Sequence, residues 1–379
     1  MKILGVTGTR ADWGLLAPVF ALLRDDPQFE FRLVVTGQHL TVDVASLAAI
    51  EADGFFVDHR VEMGLGPDDS AAALAAASGR ALDGMGQVLA AEDPDLVLVL
   101  GDRYEILAVV FAAVLARVPV AHLCGGDVTE GAMDDSIRHA ITKMVSLHFP
   151  SNAEARARIL QMGEDPANVH LVGSTGLDRV RAVQPLGRAE FFQAVGLPDG
   201  AQTLLVTVHP ATLAEDPILE CLALLSALRR LPDVSVLVTG SNADPGGAEI
   251  DGLMRDFVAE RANAAFFASL GSLRYFSALT HCDAVVGNSS SGLYEAPSFA
   301  IPTVNIGTRQ DGRPRAASVL DCPSEADAIL AAIGGALSRG RVSVENPYGD
   351  GHSAPRIVEV LRGVHDPARL VRKAFRDAV

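Results

Sequence analysis

Short apolar runs alternate along this chain with longer stretches whose apolar positions recur every three or four residues. "KILGVTG" predicts a strand and "WGLLAPVFALLRDD" a helix; "FRLVVTG" follows as the next strand. "DLVLVLGD" (95–102) is apolar throughout, as a strand covered on both faces must be. Next come a helix, "YEILAVVFAAVLARV", and a strand, "PVAHL" (119–123). This rhythm is that of βαβ units and parallel sheets. The segment 179–202 breaks it with two Pro-containing turns, and the domain junction is placed there. The alternation then restarts with "TLLVTVHP", "ILECLALLSALRRL" and "VSVLVTGSN". "DAVVGNSSSG" follows as a strand running into a loop, then "LYEAPSFA" as a helix and "IPTVNIG" as a strand. The pattern predicts an α/β chain of two Rossmann-like domains facing each other across a cleft. The first spans 1–180 and the second 181–352, with the helical stretch 353–379 packing back on the first.

Composition narrows the partners. The chain has 379 residues, 49% hydrophobic and 21% charged, with a formal net charge of −16. That balance argues against nucleic acid and anionic membrane as partners, since both need a basic surface. Cys124, Cys221, Cys282 and Cys322 are far apart and form no C-x-x-C pair, so neither a disulfide framework nor a zinc site is expected. The N-terminal apolar run is too short for a signal peptide or a span, and "AAALAAAS" (71–78) ends at Gly79-Arg80 and is read as a helix. The expected location is the cytoplasm.

In open parallel sheets, ligands bind beyond the carboxyl ends of the strands. The polar residues at those ends are therefore the candidates. They are Thr9, Arg10 and Asp12 after the first strand, Asp102 and Arg103 after "LVLVLG", and the Cys124–Asp134 loop after "PVAHL". In the second half they are His209, then Ser241, Asn242 and Asp244, then Ser289, Ser290 and Ser291. "GNSSSGLYEA" suits a phosphate, because small residues admit the ligand, hydroxyls donate, and a following helix offers free N–H groups. A serine N-cap with nothing bound would look the same. No Walker A or G-x-G-x-x-G pattern occurs. Arg10 and Arg103 could clamp a diphosphate.

The stretch "HLCGGDVTEGAMDDSIRHAITKM" gathers Asp127, Glu130, Asp134 and Asp135 around a Gly-Gly turn. Ile137, Ala140, Ile141 and Met144 give its helix a core face, Asp134 or Asp135 is a natural N-cap, and Arg138 lies on another face. If the strands ending at Asp102 and Cys124 are neighbours, their carboxylates converge and can be split into an acid and a base.

Seven segments in chain order carry a family resemblance. They are "TGTRADWGLL", "LGDRYE", "GGDVTEGAMDDSIRHAITKM", "VHPATL", "GSNAD", "GNSSSGLYEAPSF" and "NIGTRQDGRPRAASV". Together they resemble the hydrolysing UDP-N-acetylglucosamine 2-epimerases of sialic and legionaminic acid pathways. The resemblance implies a glycosyltransferase-B-like fold, a homodimer or homotetramer, and a reaction without metal or cofactor. A base takes the C2 proton, UDP leaves from C1, and water adds to the resulting 2-acetamidoglucal. It implies catalytic roles for Asp102, Asp134 and His209, with Asp127 or Glu130 assisting. Substrate contacts would come from Arg10, Asp12, Arg103, Cys124, Arg138, Asn242, Asp244, Ser289, Ser290, Ser291, Glu295 and Arg313. Where the family usually has Glu or His, this chain has Cys124, read as packing or substrate shaping. That departure leaves open a UDP-sugar hydrolase without epimerisation. A glycosyltransferase and a nucleotide-sugar sensor are the rivals from other classes.

Overall fold

The computed structural model describes residues 1–41, 44–66, 68, 70–129, 133–210, 218–241 and 246–377, with only the backbone at 44 and 45. The chain forms two compact units, Met1–Arg179 with Tyr348–Val379, and Val180–Pro347. It passes from the first to the second within the helix Gly176–Ala182.

The first unit holds β1 (Lys2–Thr7), β2 (Glu30–Val35), β3 (His59–Arg60), β4 (Leu96–Leu100), β5 (Val120–Leu123) and β6 (Leu147–Phe149). They form one sheet in the order β3-β2-β1-β4-β5-β6, and every pairing is parallel. All five residues of β4 are buried, as expected of a strand with helices on both faces. Gly5 in β1 is required by packing, since a Cβ there would lie 2.7 Å from both Phe20 and Phe31.

The second unit holds β7 (Thr203–Thr207), β8 (Ser235–Thr239), β9 (Ala264–Phe267), β10 (Ala284–Gly287), β11 (Thr303–Ile306) and β12 (Val319–Cys322). Their order, β12-β11-β10-β7-β8-β9, is the same winding read from the other edge. In each sheet the order reverses beside the first strand, between β1 and β4 and between β7 and β10. Those two points are where a doubly wound sheet opens a crevice for ligand.

The chain returns to the first unit at Tyr348. The helix Ser353–Arg362 packs on the helix Arg10–Asp25, burying Ile357, Val358 and Leu361 among Leu16, Val19 and Phe20. Asp178 fastens its start by accepting from the N–H groups of Ser353 (3.1 Å) and Ala354 (2.9 Å). Further on, Lys373 donates to the carbonyls of Lys143 (2.9 Å) and Val145 (2.6 Å) at the end of the helix Met133–Met144. Lys373 also pairs with Glu164. Burial would raise the Glu164 carboxyl, but hydrogen bonds from His148, Lys143 and Lys373 outweigh it and bring it down to about 2.

Two local expectations change. The stretch expected as a helix over 293–300 is a four-residue helix, Ser291–Tyr294, followed by a 3₁₀ turn, Ala296–Phe299. Pro297 has no N–H to continue the ladder. A helix so short has little dipole. Asp134 and Asp135 are also not caps: the helix begins at Met133, and both acids lie in its first turn. Among the described residues, no helix is long and apolar enough to cross a membrane.

Candidate active site

β4 and β5 pair from Val97↔Val120 to Leu100↔Leu123, so the residues that follow them emerge side by side. Asp102 thereby meets the helix Met133–Met144. Arg138, 5% exposed, is the hub. Its Nε donates to Asp102 Oδ2 at 2.7 Å, and its Nη2 donates to the same oxygen. The remaining donors reach the Asp127 carbonyl (2.8 Å), Asp135 Oδ1 (3.3 Å) and Thr129 Oγ1 (3.0 Å). Asp134 is partly buried beside this group. Burial and then the Asp102 charge raise its carboxyl above the usual range, while Arg103 and Arg138 oppose the rise. Asp127 is turned elsewhere: Asn152 donates to its Oδ1 (2.8 Å) and Ser151 to its Oδ2 (3.3 Å).

The loop after β5 is shaped by its backbone. Cys124 sits at φ 63°, in the left-handed region that side chains other than glycine rarely adopt. Gly126 has φ 81°, and a Cβ there would lie 2.3 Å from the Ala155 carbonyl oxygen. Burial, followed by the Asp127 and Asp102 charges, pushes the Cys124 thiol well above its ordinary range. It is held protonated and is no thiolate at neutral pH. Behind the loop, His122 is fully buried with Nε2 2.7 Å from the Gly101 carbonyl oxygen. Burial lowers its pKa to about 4, so the ring is neutral.

At the crossover between β1 and β4, Arg10, Arg103 and Tyr104 line one cavity of about 500 Å³, with Thr9 and Gln38. Thr9 caps the helix Arg10–Asp25 by accepting from the Asp12 N–H at 3.2 Å. Asp12 is 8% exposed and accepts from the Gly8 N–H at 3.3 Å. The fully buried Glu105, absent from the sequence-derived candidates, takes Arg103 Nε at 2.5 Å. The available signal was its position: it opens the otherwise apolar run "YEILAVVF". Its Oε2 has no hydrogen-bond partner. A Cβ on Gly8 would lie 3.0 Å from Glu105 Oε1 and 3.5 Å from Asp12 Oδ2, so two buried carboxylates share this corner with one guanidinium.

Burial, and secondarily Glu105, raises Asp12 to about 6. Its folded-state proton affinity exceeds the unfolded one, so its ionisation costs stability as pH climbs from about 4 to about 6. Above that window the cost is fully present, roughly 1–3 kcal/mol. Asp12→Asn is therefore expected to raise the urea midpoint at pH 8 and to change it much less at pH 4. A midpoint lowered equally at both pH values would contradict this.

In the second unit, β7 and β10 run parallel up to Thr207↔Gly287. His209 and the serine loop leave from these neighbouring ends. Ser291 Oγ accepts from Tyr275 Oη at 2.7 Å. Glu295 is no surface acid: its Oε2 is out of water without a hydrogen-bond partner, and burial raises its pKa. Arg313 donates to Gln310 Oε1 (2.7 Å) and lies over the Tyr294 ring. Asn288 and Gln310, both 1% exposed, join the site without having been singled out from sequence. Of the sequence candidates, Glu130, Asn242 and Asp244 lie outside the described residues.

Two sheets of identical winding, each with its polar groups at the carboxyl ends of its strands, define a two-domain α/β protein of the glycosyltransferase-B-like kind. The profile of the family described as UDP-N-acetylglucosamine 2-epimerase matches residues 21–362, and the chain belongs to that family. It is 32% identical over 377 residues to the UDP-N,N'-diacetylbacillosamine 2-epimerase (hydrolyzing) of Legionella pneumophila, covering 98% of each chain. It is 34% identical over 323 residues to the GDP/UDP-N,N'-diacetylbacillosamine 2-epimerase (hydrolyzing) of Campylobacter jejuni, covering 84% of each. Its fold is that of the UDP-GlcNAc 2-epimerase from Neisseria meningitidis solved bound to UDP-GlcNAc. The TM-score is 0.75 at 21% identity, over 96% of this chain and 100% of that one.

Proposed function

We propose that the protein is a hydrolysing 2-epimerase of a UDP-linked 2-acetamido sugar, UDP-N-acetylglucosamine or a 2,4-diacetamido-trideoxy relative. The observation that carries this reading is the Asp102–Arg138–Asp134 group. One carboxylate is bound to a buried guanidinium and its neighbour has raised proton affinity, a pairing that can supply a base and an acid at one centre.

In this reading Asp102 and Asp134 handle protons at C2. Removal of the C2 proton leaves its bonding pair in a C1–C2 double bond, and the C1–O pair departs with UDP. Water then adds its hydroxyl to C1, and a proton returns to C2 on the opposite face. The products are UDP and an N-acetylmannosamine-type sugar, a precursor for nonulosonic acid synthesis in the cytoplasm. Arg10 and Arg103 of the first unit are suited to phosphate charge; in the second unit the Ser289–Ser291 hydroxyls donate to phosphate oxygens, Glu295 accepts from ribose hydroxyls, and His209 assists the departure of UDP. Asp127, with both carboxylate oxygens engaged by Ser151 and Asn152, shapes the loop. Cys124, kept as a thiol, packs and transfers no proton. The Legionella and Campylobacter names favour the 2,4-diacetamido sugar. Phe111, Val114 and Leu115, exposed along the helix Tyr104–Ala116, support assembly as a homodimer or homotetramer. Light scattering tests this, and a monomeric mass removes it.

Incubation in deuterium oxide with UDP-GlcNAc and with UDP-N,N'-diacetylbacillosamine, followed by NMR, tests the reaction. Free UDP with a C2-deuterated manno-configured sugar is expected from one of the two. UDP with an unlabelled gluco-configured sugar would mean plain hydrolysis. No UDP from either would sink the enzyme reading.

A further inference from the structure

His209 and the serine loop leave from different strands, and one side chain joins them. Asn288 stands directly after β10 and is 1% exposed. Its backbone N–H donates to the Thr207 carbonyl at 3.2 Å, carrying the contact between β7 and β10 one residue further. Its Oδ1 accepts from the His209 N–H at 2.7 Å, and its Nδ2 donates to the His209 carbonyl at 2.8 Å. A single amide thus claims both backbone polar groups of His209. Nδ2 also donates to Glu220 Oε2 at 2.8 Å.

These partners fix which way the amide faces. The Glu220 carboxylate only accepts, so the NH₂ must point to it; the His209 N–H only donates, so the oxygen must point there. Two independent demands agree on one orientation. Glycines make the approach possible. At Gly287, with φ 138°, a Cβ would lie 1.9 Å from the Thr207 carbonyl oxygen. At Gly307 a Cβ would lie 1.9 Å from Glu220 Oε1. On its other side, the Asn288 carbonyl accepts from Gln310 Nε2 at 2.8 Å and Arg309 Nη1 at 3.2 Å.

We propose that Asn288, oriented by Glu220, is the positioning residue of this half-site, holding His209 in fixed register with the Ser289–Ser291 loop so that both address one diphosphate. The inference rests on the reading that His209 assists the departure of UDP. Asn288 acts through His209, so its removal should matter only while His209 is present.

A double-mutant cycle tests this. Asn288→Ala is expected to lower kcat for UDP release about 10–100-fold, since misplacing a reacting group costs on that scale. The Kd for UDP, measured by calorimetry, should stay within about threefold, as expected when ground-state binding is spared. In a His209→Ala background the same substitution should cost less than about threefold, because residues acting as one unit are not additive. Glu220→Gln, which removes only the orienting charge, should repeat the pattern more weakly and serves if Asn288→Ala does not fold. Equal losses in both backgrounds, or an unchanged kcat, would overturn the proposal. A readout independent of turnover is amide exchange in protein labelled with ¹⁵N-histidine. The His209 amide should exchange slowly in wild type and at least about tenfold faster in Asn288→Ala, as when a hydrogen bond is opened. An unprotected wild-type His209 amide removes the clamp. If wild type releases no UDP while that protection is present, the functional reading fails and the clamp stands.

Discussion

Asp102→Asn is expected to suppress turnover by about 10²–10⁴-fold, the usual worth of a positioned general acid or base, while UDP binding stays nearly intact. Arg138 holds Asp102 in place. An asparagine oxygen can still accept from the guanidinium, so the helix Met133–Met144 keeps its anchor and the site keeps its shape. What disappears is a carboxylate able to take a proton. A second effect follows at Asp134. Burial and the Asp102 charge together raise its proton affinity. Removing that charge leaves only burial, so the limb of the residual pH–rate profile that reports Asp134 should move to lower pH. Single-turnover UDP release across pH, together with calorimetry of UDP binding, reads both effects. Wild-type turnover in this variant would take Asp102 out of the mechanism. Lost UDP binding would mean that Asp102 serves the nucleotide instead.

Arg138→Met is expected to be the most destabilising change at the site. The guanidinium is 5% exposed. It is also the charge partner of Asp102 and Asp135. Methionine fills much of its volume, so cavity formation is a minor part of the cost. The larger part is two carboxylates left without their cation and the Asp127 carbonyl without its donor. Fully buried pairs broken in this way cost about 3–5 kcal/mol. The Asp102 and Asp135 side chains are 23% and 28% exposed and keep some solvation, so about 2–4 kcal/mol is the expected loss. Urea unfolding at pH 7.5 checks this. A variant as stable as wild type at pH 7.5 would refute the hub. Arg138→Lys should fall between, since an ammonium keeps the charge but cannot span Asp102, Asp135, Thr129 and the Asp127 carbonyl at once.

Much of this was legible in the chain itself. Apolar runs such as "LVLVL" and helical spacing such as "WGLLAPVFALLRDD" are local signals, and each became the expected element. Parallel sheets put polar groups at strand ends, so Asp102, Cys124, His209 and Ser289–Ser291 could be named as candidates before any coordinates. The family resemblance was equally local, being carried by short ordered motifs. Failures of local reading had local causes too. Pro297 cut short a helix that apolar spacing alone extends, and two acids that look like caps lie a residue or more inside their helix.

Tertiary structure alone decided which of these residues meet. Strand order is set by packing between segments far apart in the chain, and no periodicity encodes it. Only the pairing of β4 with β5 brings Asp102 to Arg138, which lies 36 residues away. Only the pairing of β7 with β10 lets Asn288 grip His209 across 79 residues. Glu105 was not among the candidates until burial beside Arg103 singled it out. Cys124 read as packing or substrate shaping, and its left-handed backbone emerged only with the fold. Sequence determines what each segment wants to bury, because that preference is a property of neighbouring side chains. The site is a property of distant ones, and the free energy that joins them exists only once the two sheets have formed.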